Sequence, residues 1–254
     1  MPIEKMVVRK MIIAKSPLRM SYVGGGSDIQ GFYKEHGGAV ISTAINAFVY
    51  VAVKKRFERG IRLSYSRTEN VNFASEIEHP IVRNALQMAG VEADIEIVSI
   101  ADIPSSGTGL GSSSSFSVSL INALVAFEGK EIDEEELAQA ACRLEIELCG
   151  SPIGKQDQYS ASYGGLKVYR FQPDDSVSVE DVDITRETRT ELNEQTLVFF
   201  VGGERDANTI LARQQVELRQ QKKIESMLKM VALVDDLRTE LEGGSLINYG
   251  PILH

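Results

Sequence analysis

A run of small residues, SSGTGLGSSSSF at 105–116, separates two apolar segments and limits how the chain around it can fold. The run has three glycines, six serines and no charge, whereas 25% of the whole chain is charged. Glycine allows positive φ and close approach to a ligand, and a helix that begins here would present free N–H groups to phosphate. A flexible linker is the alternative, but both flanking segments have the pattern of buried elements. We therefore predict an anion-binding loop.

Regular elements are expected on both sides of this loop. The segment ADIEIVSI at 93–100 alternates apolar and polar residues, which predicts a half-buried strand. After the serines, Phe116, Leu120 and Leu124 recur at helical spacing, so a helix is expected to begin within the serine run. Because strands precede helices in blocks, the pattern favours an α+β fold. Further strands are predicted at 7–14, 39–53, 61–65, 164–171 and 195–203, and helices at 80–88, 134–149 and 224–241.

The composition narrows the class of protein. The chain has 254 residues, 43% of them hydrophobic, which is enough to bury one large core or two small ones. Its formal net charge of −9 argues against nucleic acid and anionic membranes as partners. No apolar run reaches the length of a membrane span, and the charged N-terminal residues do not resemble a signal peptide. Cys142 and Cys149 have no neighbouring residues that complete a metal set, so a cytoplasmic protein is expected.

The common phosphate-binding loops do not match the run at 105–116. A Walker-type loop needs Gly-Lys-Ser/Thr at the helix start, and no such triplet follows here. The dinucleotide fingerprint needs G-x-G-x-x-G, whereas the spacing here is G-x-G-x-G followed by serines. A protein-kinase loop would lead into a second strand rather than into a helix.

Three stretches together resemble the GHMP small-molecule kinase superfamily, which includes galactokinase, mevalonate kinase and homoserine kinase. PSSGTGLGSSSS at 104–115 is similar to its P-x-x-x-G-L-G-S-S-A/S motif, with one extra residue before the first glycine of GLG. SPLRMSYVGGGSD at 16–28 is similar to the N-terminal element, with three glycines in place of the usual Gly-Glu-His. LEIELCGSPIGKQDQYSASYGG at 144–165 resembles the segment with the metal-ligating glutamate and the catalytic aspartate. The motifs occur in the family's order.

The resemblance implies a two-lobed GHMP kinase-like α+β fold. Residues 1–175 would form a ribosomal-protein-like N-terminal ATP-binding domain, and residues 176–254 part of an α/β substrate domain. The superfamily normally ends with another glycine-rich motif, which is absent from NYGPILH at 248–254. The C-terminal lobe is therefore expected to be truncated.

The resemblance also implies an ATP- and Mg²⁺-dependent kinase that acts on the anomeric hydroxyl of a sugar or sugar phosphate. The stretch 16–28, together with VGGERDAN at 201–208, looks most like the heptose-phosphate kinases, whose substrate is D-glycero-D-manno-heptose 7-phosphate. Two alternatives stay open: another sugar kinase of the fucose or galactose type, and a nucleotide- or sugar-phosphate-binding module with little turnover. A homodimer is one assembly open to such a protein.

Loop and metal residues follow from the same resemblance. It assigns Ser113 and Glu145 to Mg²⁺, although Ser113 could equally cap the helix. Glu147 competes with Glu145, but Arg143 four residues earlier favours a surface ion pair for Glu147, and a surface glutamate is the alternative for Glu145. The resemblance assigns the ATP phosphates to Gly107, Thr108, Gly109, Leu110, Gly111, Ser112, Ser113 and Ser114.

The remaining assignments concern the reacting groups and the sugar. Asp157 would be placed against the acceptor hydroxyl, the alternative being a turn residue in the loop between a helix end and a strand. Arg19 would stabilise the transferring phosphoryl group, the alternative being an exposed strand arginine. Asp28 would bind sugar hydroxyls or form an Asx turn. The glycines before it, Gly24, Gly25 and Gly26, share the sugar assignment, and a phosphate on the sugar could be bound by Lys15, Arg83, Lys167 or Arg170.

Overall fold

A seven-stranded sheet forms the centre of the fold in a computed structural model that describes residues 10–104, 108–199 and 221–254. The strands are β1 (Met11–Val23), β2 (Gly38–Lys55), β3 (Ile61–Ser64), β4 (Thr68–Val71), β5 (Ile95–Ala101), β6 (Leu166–Phe171) and β7 (Val177–Asp181). The α-helices are α1 (Gln30–His36), α2 (Pro80–Ala89), α3 (Ser112–Phe127), α4 (Glu134–Cys142), α5 (Gln156–Tyr163), α6 (Arg186–Gln195), α7 (Gln221–Glu242) and α8 (Tyr249–Leu253). A 3₁₀ turn, Ala74–Glu76, and a π-helical turn, Arg143–Leu148, complete the described elements.

The long strand β2 organises the sheet. One edge of β2 pairs antiparallel with β1, while its other edge pairs first with β6 and then with β5. The order is β4-β3-β5-β2-β6-β7, and β3 and β5 run parallel. The domain boundary predicted at residue 175 therefore falls between β6 and β7, which are hydrogen-bonded to each other.

The two largest apolar clusters of the described residues lie along this sheet. The larger core packs α2 and α3 against β1, β2, β3 and β5, and the second packs α7 against β1, β2 and β6. Helix α3 is attached to the sheet by serine hydroxyls: Ser115 Oγ donates to Pro17 O at 2.7 Å, and Ser119 Oγ donates to Val49 O at 3.0 Å. The N-terminus of α3 is thereby fixed beside the middle of β1. Among the described residues, no helix combines the length and the apolar character that a membrane crossing requires.

Most predicted segments have the predicted type of secondary structure. Strands occupy the predicted segments 39–53, 61–65, 93–100 and 164–171, and helices occupy 80–88, the segment after the serine run and 224–241. In the predicted helix at 134–149, the α-helix gives way to the π-helical turn. The first strand lies later than predicted, and residues 7–9 are outside the described part of the chain.

The strand predicted at 195–203 is wrong for the residues that the structure describes. Gln195 is the last residue of α6, and 196–199 adopt no strand. None of the described strands pairs with this segment, so its backbone joins no ladder. Three of its apolar side chains, Leu197, Val198 and Phe199, are exposed. Residues 200–203 lie outside the described residues.

The glycine turn after β1 gives a direct test of the fold. Gly24 has φ +88°, and a Cβ there would lie 1.9 Å from the carbonyl oxygen of Ala39. Gly24→Ala is therefore expected to lower the free energy of unfolding by at least about 3 kcal/mol. At Gly25 the nearest atom to a Cβ is Ser21 Oγ at 3.8 Å, so Gly25→Ala should stay within about 1 kcal/mol of the unsubstituted protein. Urea unfolding of both variants measures the difference, and equal stabilities would contradict the turn geometry.

Candidate active site

An arginine and an aspartate that are far apart in sequence form a two-hydrogen-bond ion pair. Strand β1 carries Arg19, and the first turn of α5 carries Asp157. Arg19 Nε donates to Asp157 Oδ1 at 2.7 Å, and Nη2 donates to Oδ2 at 2.8 Å. Such paired bonds fix the orientation of both groups as well as their distance. A third donor, Nη1, binds Gly109 O at 2.7 Å. The guanidinium thus joins Asp157 to the run at 105–116, the glycine–serine loop.

The loop brings its backbone against this ion pair. Gly109 and Gly111 have φ of +70° and +74°, conformations that favour glycine. A Cβ on Gly111 would lie 3.2 Å from Asp157 Oδ2 and 3.3 Å from Arg19 Cγ, so the position leaves little room for a side chain. Helix α3 begins at the next residue, with no side chain capping its N-terminus. The Asp157 carboxylate therefore lies beside a helix start of the kind that binds phosphate. Gly107 is outside the described residues.

A buried glutamate lies next to the first turn of α3. Ser113 Oγ donates to Glu145 Oε1 at 2.7 Å, and Gln158 Nε2 donates to Oε2 at 2.8 Å. Glu145 is 1% exposed and belongs to the π-helical turn, whereas Glu147 is exposed. Burial raises the pKa of Glu145, although hydrogen bonds from Ser113, Ser114 and Gln158 oppose this increase. The structure thus brings together the two residues that the sequence assigned to a metal.

The oxygen atoms of Glu145 and Ser113 fit the ligand preferences of Mg²⁺ that is bound together with a nucleotide. Mg²⁺ prefers oxygen ligands and is usually bound by one or two carboxylates plus substrate phosphates. Glu145 supplies one buried carboxylate and Ser113 one hydroxyl, adjacent to the helix start. Across the described part of the chain, no three His, Cys, Asp or Glu side chains form a metal cluster. One carboxylate and one hydroxyl fit a cation that takes its remaining ligands from substrate phosphates.

Asp157 lies in the first turn of a helix, so its predicted position in a loop is wrong.

The backbone N–H of Gln156, where α5 begins, donates to Asp28 Oδ2 at 3.0 Å, across 128 residues of sequence. The other oxygen of Asp28 accepts from Gly26 N at 3.2 Å. Asp28 is 5% exposed, and burial raises its pKa. A Cβ on Gly154 would lie 1.9 Å from Asp28 Oδ2, so this contact requires glycine there.

Ser21 is a site residue that the sequence analysis missed. It lies two residues after Arg19 on the same strand, so both side chains are on one face of β1. Ser21 Oγ donates to Gln156 Oε1 at 2.9 Å, next to Asp157. A cavity of about 370 Å³ opens beside it. The cavity is lined by Met20, Ser21, Tyr22, Gln195, Thr196, Leu197, Tyr249 and Leu253. The spacing of two from Arg19 was the signal available in the sequence.

The basic residues considered for a sugar phosphate have other contacts. Lys15 Nζ lies over the Phe48 ring, and Arg83 donates to Ile77 O. Lys167 pairs with Asp181, and Arg170 pairs with Glu180 and Asp235. The structure therefore does not bring these four side chains together at Asp157. The stretch 201–208 lies outside the described residues.

Comparison with known proteins identifies a family for the part of the chain that carries this site. Residues 80–165 match the family model described as GHMP kinases N terminal domain. The matched range includes the loop described above, Ser113, Glu145 and Asp157. Residues 80–165 form a GHMP kinase N-terminal domain. The resemblance that the three sequence motifs indicated is confirmed for this segment, and the protein is a kinase-type phosphotransferase.

Two curated relatives and one solved structure resemble this chain over most of its length. It is 28% identical over 233 residues to the D-glycero-alpha-D-manno-heptose 7-phosphate kinase of Campylobacter jejuni, which covers 86% of this chain and 68% of that protein. It is 26% identical over 218 residues to the bifunctional fucokinase/GDP-fucose pyrophosphorylase of Arabidopsis thaliana, covering 77% of this chain and 20% of that protein. A crystal structure of a D-glycero-D-manno-heptose 1-phosphate kinase from Bacteriodes thetaiotaomicron is similar with a TM-score of 0.82. That match has 23% identity and covers 96% of this chain and 76% of the other, so it supports the predicted fold class.

Proposed function

We propose that this protein transfers the γ-phosphate of ATP to the anomeric hydroxyl of a sugar or sugar phosphate. The observation that carries the proposal is the Asp157 carboxylate, held by Arg19 beside the glycine–serine loop and the N-terminus of α3. Phosphoryl transfer depends on placing the acceptor in line and neutralising charge more than on covalent chemistry. A carboxylate and a guanidinium at a phosphate-binding helix start meet both needs.

The loop and α3 would hold the ATP phosphates. Backbone N–H groups of residues 108–114 offer donors at the positive end of the α3 dipole. Glu145 and Ser113 would hold Mg²⁺, which when bound neutralises charge on the phosphates. Arg19 donates to both Asp157 and the loop, so it orients the carboxylate toward the phosphate side of the site. Asp157 would accept a hydrogen bond from the acceptor hydroxyl and polarise it for attack.

The acceptor sugar would lie between the glycine turn and Asp157. A Cβ on Gly25 would lie 3.8 Å from Ser21 Oγ, so Gly25 is next to Ser21, and Ser21 in turn contacts Gln156, the neighbour of Asp157. The cavity beside Ser21 is within the size range of small-ligand pockets, and Tyr22 and Tyr249 form one of its walls. Asp28 would support this region through its two backbone hydrogen bonds, and a sugar hydroxyl is a further partner proposed for it.

Heptose phosphate is the acceptor that we propose first. The match to the Campylobacter heptose 7-phosphate kinase extends over 86% of the chain and supports this choice. D-glycero-D-manno-heptose 7-phosphate would then become the 1,7-bisphosphate. The match to the Arabidopsis fucokinase favours a second candidate, an anomeric kinase for an unphosphorylated sugar such as fucose.

An acceptor screen separates these candidates. We expect Mg²⁺-dependent ADP release with heptose 7-phosphate that exceeds the release with fucose, galactose, mevalonate or homoserine at equal concentration. A coupled ADP assay, corrected for ATP hydrolysis without acceptor, makes the measurement. Preference for fucose or galactose would replace heptose phosphate by an unphosphorylated sugar. Reaction with only mevalonate or homoserine would refute the sugar assignment, and ATP binding with no acceptor turnover would favour a binding module.

A further inference from the structure

A fully buried glutamine lies directly after Asp157. Gln158 is 0% exposed, and its Nε2 donates to Glu145 Oε2 at 2.8 Å. Its carbonyl oxygen Oε1 is buried and has no hydrogen-bond partner among the described residues. Buried amides normally satisfy both ends, so the orientation of this one is set at its nitrogen end. The partner that sets it is a carboxylate.

The Glu145 carboxylate has a different donor on each oxygen. Gln158 binds Oε2, Ser113 binds Oε1 from the first turn of α3, and Ser114 of the same turn also hydrogen-bonds the carboxylate. Reversing the amide of Gln158 would point two oxygens at each other across a buried contact, which is unfavourable. The glutamine therefore holds Oε2 in place, while Oε1 faces Ser113.

The location of Gln158 links two parts of the site. Helix α5 carries Asp157 and Gln158 in adjacent positions, so a single helical turn fixes the pair with Arg19 and the contact with Glu145. Glu145 itself lies in the π-helical turn, a local geometry often found at functional positions. Its contacts with Ser113 and Gln158 come from the two neighbouring helices.

We propose that Gln158 is a positioning residue that orients the Glu145 carboxylate toward a divalent cation at the helix start. The inference rests on the proposed function, because that function assigns Glu145 and Ser113 to the cation. Residues that hydrogen-bond a ligating carboxylate from behind typically change metal affinity by about 10–100-fold when they are replaced. Gln158 acts through Glu145 and does not itself meet the nucleotide.

The test is Mn²⁺ binding to the ADP complex, measured by the loss of the free Mn²⁺ signal in electron paramagnetic resonance. Mn²⁺ shares the preference of Mg²⁺ for oxygen ligands. Gln158→Met keeps the length of the side chain and removes its donor, and we expect the Kd of Mn²⁺ to rise about 10–100-fold. The Kd of metal-free ADP should stay within about twofold, since a general loss of packing would weaken both, whereas a lost orienting contact weakens only the metal.

Gln139→Met is the matched control, because Gln139 Nε2 also donates to a carboxylate, Glu135 Oε1, at 2.8 Å but on the exposed side of α4. The control should bind Mn²⁺ as the unsubstituted protein does. If Gln158→Met does not fold, Gln158→Asn is the second variant. It keeps an amide, but the side chain is one methylene too short to reach Glu145, and the same rise in the Kd of Mn²⁺ is expected. An unchanged Mn²⁺ Kd in a folded Gln158 variant overturns the positioning role alone. No Mn²⁺ binding by the unsubstituted protein with ADP overturns the metal assignment of the proposed function as well.

Discussion

Asp157→Asn is expected to lower kcat by about 10²–10⁴-fold while the Kd of ATP changes little. Asparagine keeps the volume of the side chain but removes the negative charge that polarises the acceptor hydroxyl. It also removes one of the two acceptors for Arg19, so a loss of about 1–3 kcal/mol in the free energy of unfolding is expected. Steady-state kinetics, nucleotide binding by calorimetry and a melting curve on the same variant separate these effects.

Asp181→Asn is the control for this variant. Asp181 pairs with Lys167 at the surface, so its replacement removes an ion pair without touching the site. Its kcat should equal that of the unsubstituted protein. A folded Asp157→Asn variant with normal kcat would remove Asp157 from the mechanism and leave it as a structural partner of Arg19.

Glu145→Gln should raise the Mg²⁺ concentration needed for half-maximal turnover by about 10²-fold or more, or abolish turnover. An amide oxygen is a weaker ligand for Mg²⁺ than a carboxylate. The same change should leave the melting temperature unchanged or higher, because burial disfavours the charged form of Glu145 and the amide carries no charge. Lower activity combined with undiminished stability is typical of a group kept for function. Turnover as a function of Mg²⁺ concentration, with a melting curve on the same sample, measures both.

Glu147→Gln provides the comparison in the same turn. Glu147 is exposed, so its replacement should change neither the Mg²⁺ requirement nor, beyond a few tenths of a kcal/mol, the free energy of unfolding. Equal effects of the two substitutions on activity would reject Glu145 as the metal ligand.

The local part of the site could be predicted from the sequence. Glycines and serines between an alternating segment and a helical one already indicate a phosphate-binding helix start, and α3 begins at Ser112 as expected. The choice of Glu145 over Glu147 also has a local basis, since Glu145 has no cation three or four residues away, whereas Glu147 has Arg143 four residues earlier. The structure buries the first and exposes the second.

Contacts between distant segments could not be read from spacing. Arg19 and Asp157 are separated by 138 residues, and only the resemblance to a family indicated that they meet. Helix α5 was missed because QDQYSASY has no amphipathic pattern. The start of this helix is stabilised by a residue from another part of the chain, because Asp28 accepts a hydrogen bond from Gln156 N. At 195–199 a strand was predicted that the structure does not contain. An apolar run forms a strand only where another strand pairs with it, and the run itself does not show whether one does.

Phosphorus NMR of the unsubstituted protein with ATP, Mg²⁺ and heptose 7-phosphate tests the central claim most directly. We expect the γ-phosphate resonance of ATP to disappear as a sugar-phosphate resonance grows, coupled to the anomeric proton, with ADP formed in equal amount. Growth of inorganic phosphate alone, or a new phosphate on any other hydroxyl, would contradict transfer to the anomeric position at Asp157.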